Sequence, residues 1–61
     1  MPVALITGGA GALGSATARR LVQDGWVAVL ADIDLPAAEA IAKGLGGNAG
    51  ALRMDVTDLA A

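Results

Sequence analysis

The chain has 61 residues, of which 56% are hydrophobic and 2% aromatic, and it contains neither cysteine nor histidine. Without these residues it has no disulfides, no thiolate metal ligands, and neither the commonest metal ligand nor the commonest general base. The net charge of −2 comes from four scattered basic residues against six acids. Nucleic-acid binding normally requires a basic face, so we expect no nucleic-acid partner. Since cysteine and histidine are missing, we also expect no metal site.

The N-terminal apolar run is about five residues long, which is too short for a signal-peptide core or a membrane span. We therefore expect a cytoplasmic protein with no membrane partner. The absence of cysteine is compatible with reducing conditions.

Strands and helices are predicted to alternate along the first half of the chain. Val3–Ile6 is a continuous apolar run, typical of a parallel strand buried on both faces. A glycine turn follows, and from Leu13 the apolar residues recur at helical spacing. Gly25 is predicted to end this helix in a positive-φ conformation, and Trp26–Ala31 is the second strand.

The second half of the chain repeats this alternation. Asp34 is a suitable N-cap for a second helix, with Pro36 tolerated in its first turn. The cluster Gly44, Gly46, Gly47 and Asn48 is predicted to end that helix. The third strand is predicted over residues 49–54, and Thr57 is a candidate N-cap of a third helix.

This β-α-β-α-β order predicts half of a doubly wound parallel sheet, the Rossmann fold, with strand order 3-2-1. The first strand would then have an unpaired apolar edge, where a fourth strand normally lies. We therefore expect residues 1–61 to be the N-terminal part of a dinucleotide-binding domain. The alternative is a complete small domain.

The glycine turn carries the strongest functional signal. A strand, a glycine turn, a helix and an acid closing the next strand together form the dinucleotide-binding fingerprint. A plain tight turn needs one or two glycines, whereas four glycines within seven residues predict close approach of a pyrophosphate to backbone amides.

Three glycine spacings fit the turn. G-x-G-x-x-G uses Gly9, Gly11 and Gly14, and T-G-x-x-G-x-x-G uses Gly8, Gly11 and Gly14. T-G-x-x-x-G-x-G uses Gly8 and Gly14 but has Ala12 at its middle glycine. The alanine is a mild departure if its φ is negative.

The segment Thr7–Gly14 resembles the cofactor turn of the short-chain dehydrogenase/reductases. The resemblance continues through Leu30–Asp32 and Met54–Asp58, so it covers essentially the whole chain. In that family the T-G-x-x-x-G-x-G spacing belongs to single-domain dehydrogenases and reductases, and T-G-x-x-G-x-x-G to larger sugar-nucleotide epimerases and dehydratases. Ala12 departs from the single-domain pattern, but the alanine-rich second helix and the Met54–Asp58 segment favour that branch.

The resemblance implies NAD as the cofactor. Gly8, Gly11, Ala12, Leu13 and Gly14 would hold the pyrophosphate, with the Leu13 side chain packed under the turn.

At the end of the second strand, Asp32 would accept hydrogen bonds from the adenosine ribose and repel a 2′-phosphate. Ile33, directly after this strand, completes that part of the site and is uncharged where NADP-preferring relatives tend to carry a basic residue. Asp55 and the amide of Val56 are similar to the family's adenine contacts.

No catalytic residue is predicted within these 61 residues. The family's acid–base group is a Tyr-x-x-x-Lys pair with an upstream serine, and this chain has no tyrosine. The parent protein would be a homo-oligomeric oxidoreductase that transfers hydride between nicotinamide and an alcohol or carbonyl substrate. The alternatives are a sugar-nucleotide epimerase or dehydratase, a non-catalytic dinucleotide-binding module, and a fragment without function.

Overall fold

A computed structural model of the chain describes residues 2–55 and contains five elements. In chain order these are β1 (Val3–Thr7), α1 (Ala12–Gln23), β2 (Val27–Asp32), α2 (Leu35–Leu45) and β3 (Ala49–Arg53). The predicted β-α-β-α-β order is therefore confirmed, with boundaries that differ by about one residue. The predicted helix start at Thr57 lies outside the described residues.

The three strands form one parallel sheet in the order β1-β2-β3, which is the predicted 3-2-1 order read from the opposite edge. The central strand β2 pairs Leu30 with Ile6 of β1 and with Ala51 of β3. This places the carboxyl ends of all three strands along the same edge of the sheet.

Both helices pack on one face of the sheet. Residues two apart on a strand share a face, and Ala28 and Leu30 of β2 meet both helices in one buried cluster, whose other members are Ala18 of α1 and Ala38 and Ala42 of α2. Four of the five buried members are alanine, so the helices can lie close to the sheet.

The expectation that β1 is buried on both faces is wrong for the described part of the chain. Val3 is 64% exposed and Leu5 is 54% exposed, and Leu52 of β3 is 45% exposed. Their strand registers place these three side chains on the sheet face opposite the helices, where no element of residues 2–55 packs. A continuous apolar run predicts two covered faces, but both crossover helices here cover the same one.

The helix ends follow local chemistry, with one difference. Asp34 caps α2 by accepting a hydrogen bond from the Ala37 amide at 3.2 Å, and Gly25 follows α1 with φ +91°, both as predicted. Gly44 lies inside α2 and does not end it. The helix instead stops at Leu45, because Gly46 turns the chain with φ +97°.

Candidate dinucleotide-binding site

Four of the predicted site residues meet at the carboxyl edge of the sheet. A groove of about 140 Å³ is lined by Gly8, Asp32, Ile33, Met54 and Asp55. The amide of Met54 donates to the Asp32 carbonyl oxygen at 3.1 Å, which continues the β2–β3 pairing and brings Asp55 to the groove. In open α/β sheets ligands bind at this edge.

The groove also contains a residue that the sequence pattern does not assign to the site. Met54 lines it, and the position of Met54 between β3 and Asp55 is a signal that could have found it. Val56 lies outside the described residues, and Ile33 is exposed at the rim of the groove. A wider groove of about 440 Å³ between α2 and β3 contains none of the predicted site residues.

The turn itself requires three of its four glycines. Gly8 has φ +69°, a conformation that side chains disfavour. A Cβ at Gly9 would lie 2.7 Å from the Cβ of Leu30, and one at Gly14 would lie 2.5 Å from the carbonyl oxygen of Gly8. The number of glycines is therefore largely explained by the backbone conformation of the turn and by close packing within it and against Leu30. The case for a ligand depends on the polar groups around the turn.

Ala12 fits the turn in spite of its departure from the single-domain pattern. It is the first residue of α1, and no residue other than glycine has a positive φ within residues 2–55. The condition under which the alanine is a mild departure is therefore met.

The amides between Gly8 and α1 are all engaged within the chain. They donate from Gly9 to the Ala31 carbonyl oxygen at 3.2 Å, from Ala10 to Oδ2 of Asp32 at 3.0 Å, and from Gly11 to the Gly8 carbonyl oxygen at 3.0 Å. These bonds hold the turn against the ends of β1 and β2.

The next three amides are the ones available to a ligand. The first amide with a main-chain acceptor in α1 is that of Ser15, which donates to the Gly11 carbonyl oxygen at 2.9 Å. Within the described part of the chain the amides of Ala12, Leu13 and Gly14 have no acceptor, as expected at a helix start. Together with the positive end of the helix dipole they form a site suited to an anion.

The side chain of Leu13 departs from its predicted position. The family resemblance implies that it packs under the turn, but it is 83% exposed. Its place in the first turn of α1 directs it away from the buried cluster, in which Ala18 is the buried residue of that helix. The amide of Leu13 lies at the start of α1, but its side chain does not pack under the turn.

The carboxylate of Asp32 is held by two main-chain amides. Oδ1 accepts from the Asp34 amide and Oδ2 from the Ala10 amide, each at 3.0 Å. These bonds, the one from Asp34 foremost, lower the pKa of Asp32 below its ordinary value, against the opposing effect of desolvation. Asp32 is therefore a carboxylate at neutral pH, positioned at the groove.

Comparison with known proteins identifies the family that this geometry suggests. Residues 2–61 match the family model described as short chain dehydrogenase. The chain belongs to the short-chain dehydrogenase family. Members of this family bind a nicotinamide cofactor on a Rossmann fold, and the half-sheet described above is such a fold.

Individual relatives agree with this assignment. The chain is 54% identical over 55 residues to human 3-hydroxyacyl-CoA dehydrogenase type-2, covering 90% of this chain and 21% of the relative. It is 43% identical over 58 residues to galactitol 2-dehydrogenase of Agrobacterium fabrum, covering 95% of this chain and 23% of the relative.

Solved structures show the same fold. The crystal structure of 3-ketoacyl-(acyl-carrier-protein) reductase from Brucella melitensis, complexed with NADH, superposes with a TM-score of 0.87 at 36% identity, covering 92% of this chain and 23% of that one. The 3-hydroxyacyl-CoA dehydrogenase type-2 of Mycobacterium avium gives a TM-score of 0.82 at 41% identity, with 92% and 22% covered. The chain thus spans less than a quarter of the length of these relatives.

Residues 2–55 show neither a membrane-spanning helix nor a metal-ligand cluster. None of the helices there is long and apolar enough to cross a membrane. Among the same residues, no three potential metal-ligating side chains lie together.

Proposed function

We propose that this chain is the N-terminal, cofactor-binding part of an NAD(H)-dependent oxidoreductase that transfers hydride between the nicotinamide and an alcohol or carbonyl substrate. One observation carries the proposal. The unpartnered amides at the start of α1 and the ionised Asp32 at the end of β2 lie at the same edge of one parallel sheet. An anion site beside a carboxylate suits a dinucleotide, which presents a pyrophosphate and a ribose diol.

The pyrophosphate would be held by main-chain groups. The amides of Ala12, Leu13 and Gly14 would donate to it, and the missing side chains of Gly8 and Gly11 would allow it to approach. The NADH-bound reductase from Brucella, which shares this fold at 36% identity, supports that assignment.

The adenosine would lie in the groove between β2 and β3. Asp32 would accept hydrogen bonds from the ribose hydroxyls, Ile33 would provide apolar contact, and Asp55 with the amide of Val56 would bind the adenine. When bound, NAD supplies the hydride acceptor, while these residues bind and orient it.

The charges at the groove favour NAD over NADP. The carboxylate of Asp32 would repel a 2′-phosphate, and the neighbouring positions Gly11 and Ile33 are uncharged. Arg53 is in register with Asp32 on β3, yet no ion pair joins the two within residues 2–55. We therefore assign the cofactor preference to Asp32.

The test compares NAD with NADP in the full-length protein that contains this segment. We expect kcat/KM to be higher with NAD, and Asp32→Ala to reduce the ratio of the two values about tenfold or more, because a charge-assisted hydrogen bond is lost. Asp34→Asn serves as the control and should leave the ratio near its original value. A clear preference of the unaltered protein for NADP would refute the assignment.

The remaining parts of the proposal concern the rest of the protein. Because this chain contains no tyrosine, the acid–base residues would lie in parts of the protein beyond this sequence. We propose that the full-length protein is a cytoplasmic homo-oligomer.

A further inference from the structure

The contact between Asp32 and Ala10 joins two residues that are 22 positions apart in the chain. Each turn amide beside it, those of Gly9 and Gly11, donates to a main-chain carbonyl oxygen. Ala10 is thus the one amide between Gly8 and α1 that depends on a side chain for its acceptor.

We propose that Asp32 has a second role as a positioning residue, holding the glycine turn in the conformation that presents the amides of α1 to the pyrophosphate. The proposal rests on the function proposed above. In it, one carboxylate both reads the ribose and organises the anion site beside it.

The physical reason lies in the freedom of the turn. Glycine-rich segments lose more conformational entropy than others on becoming ordered, and Gly8 already adopts a positive φ. Without the carboxylate, the Ala10 amide would lose its acceptor, and the turn could sample conformations that withdraw the free amides. A site that is ordered before the ligand arrives binds more tightly, because the ordering cost is not incurred on binding.

Two effects of removing Asp32 have opposite signs, which makes the proposal testable. Deleting a negative charge near an anion site should strengthen anion binding through simple electrostatics. Deleting the hydrogen bond from Ala10 to Asp32, which holds the turn, should weaken anion binding. The sign of the change in anion affinity therefore shows whether this hydrogen bond positions the turn.

The probe is nicotinamide mononucleotide, which carries a phosphate but lacks the adenosine ribose. In the full-length protein we expect Asp32→Ala to weaken its binding about fivefold to tenfold, as titration followed by NMR would measure. Asp34→Asn removes a charge two residues away and keeps the α2 cap, so it controls for the loss of charge and should not weaken the affinity. Unchanged or tighter binding by Asp32→Ala would overturn the proposal.

A second change removes the donor and keeps the carboxylate. Replacing Ala10 with lactic acid converts its amide into an ester, which cannot donate to Asp32 but leaves the ribose contact intact. We expect weaker binding of NAD and of the mononucleotide, with the ratio of NAD to NADP affinity unchanged. Full retention of the mononucleotide affinity would contradict the positioning role of Asp32.

Hydrogen exchange separates this proposal from the one it rests on. Without any nucleotide, the Ala10 amide should be protected from exchange in the unaltered protein and lose that protection in Asp32→Ala. Asp32→Asn, which keeps the side-chain shape, can serve only one of the two donors with its oxygen, so protection should fall at Ala10 or at Asp34. Rapid exchange of the Ala10 amide in the unaltered protein would refute the positioning role of Asp32. Failure to bind NAD while the Ala10 amide is protected would refute the proposed function alone.

Discussion

Gly14 shows how single residues set the geometry of the cofactor turn. All three glycine spacings that fit the sequence include it, and its role in the structure is steric, since its Cα faces the Gly8 carbonyl group. Gly9 is similarly pressed against Leu30. The sequence indicates correctly that these positions need glycine, but the pattern attributes that need mainly to a ligand.

Substitution at Gly14 tests this steric explanation. We expect Gly14→Ala to lower the free energy of unfolding by about 1–3 kcal/mol, because the added methyl group meets backbone atoms that cannot move aside easily. Urea denaturation followed by circular dichroism would measure the change.

Gly44 offers a matched control for that substitution. It lies inside α2 with no atom within 4 Å of an added Cβ, so Gly44→Ala should raise the free energy of unfolding by about 0.5–1 kcal/mol. Equal effects of the two substitutions would contradict the steric account of Gly14.

At the scale of elements, the two helices begin in different ways. The N-cap residue of α1 is Gly11, which makes no side-chain cap, whereas that of α2 is Asp34, whose carboxylate accepts from the Ala37 amide. An uncapped helix start leaves amides available to a ligand, and a capped one does not. The difference supports assigning the anion site to α1.

The α2 cap can be tested by substitution at Asp34. We expect Asp34→Ala to lower the free energy of unfolding by about 1 kcal/mol, because the Ala37 amide loses its acceptor. Asparagine caps helices about as well as aspartate, so Asp34→Asn should change the free energy of unfolding by only about 0.3 kcal/mol. Thermal unfolding of both variants would measure this difference. Equal losses of stability in Asp34→Ala and Asp34→Asn would show that the charge, and not the cap, matters at this position.

For the whole molecule, the unequal covering of the two sheet faces is the main feature. The helix-covered face contains a core in which Leu30 is the largest fully buried side chain of the described residues, with alanines around it. The opposite face presents Val3, Leu5 and Leu52 to solvent within residues 2–55. Stability of this half-sheet therefore depends strongly on one side chain.

Leucine-to-alanine substitutions on the two faces should differ in cost. Leu30→Ala should lower the free energy of unfolding by about 2–5 kcal/mol, because it leaves a cavity among small residues that cannot fill it. For Leu5→Ala in the 61-residue chain we expect a loss below about 1 kcal/mol, since its side chain is 54% exposed. Denaturant titration of both variants would measure the difference, and similar losses would contradict this division of the faces.

The features that the sequence determined by itself are those that depend on neighbouring residues or on a regular spacing of residue types. The strands, the helices, the Asp34 cap and the glycine turn each depend on residues within a few positions of one another, so the spacing of residue types along the chain is enough to predict them. The order of the strands followed from the general handedness of crossover connections.

The tertiary structure decided what depends on residues far apart in the chain. It showed that both helices cover one face, that Gly9 packs against Leu30 of β2, and that Asp32 bonds to Ala10 across 22 positions. These contacts leave no periodic signal, because the partners meet only when β1 and β2 pair. Because the turn amides are engaged in the chain, the amides without an acceptor are those at the start of α1.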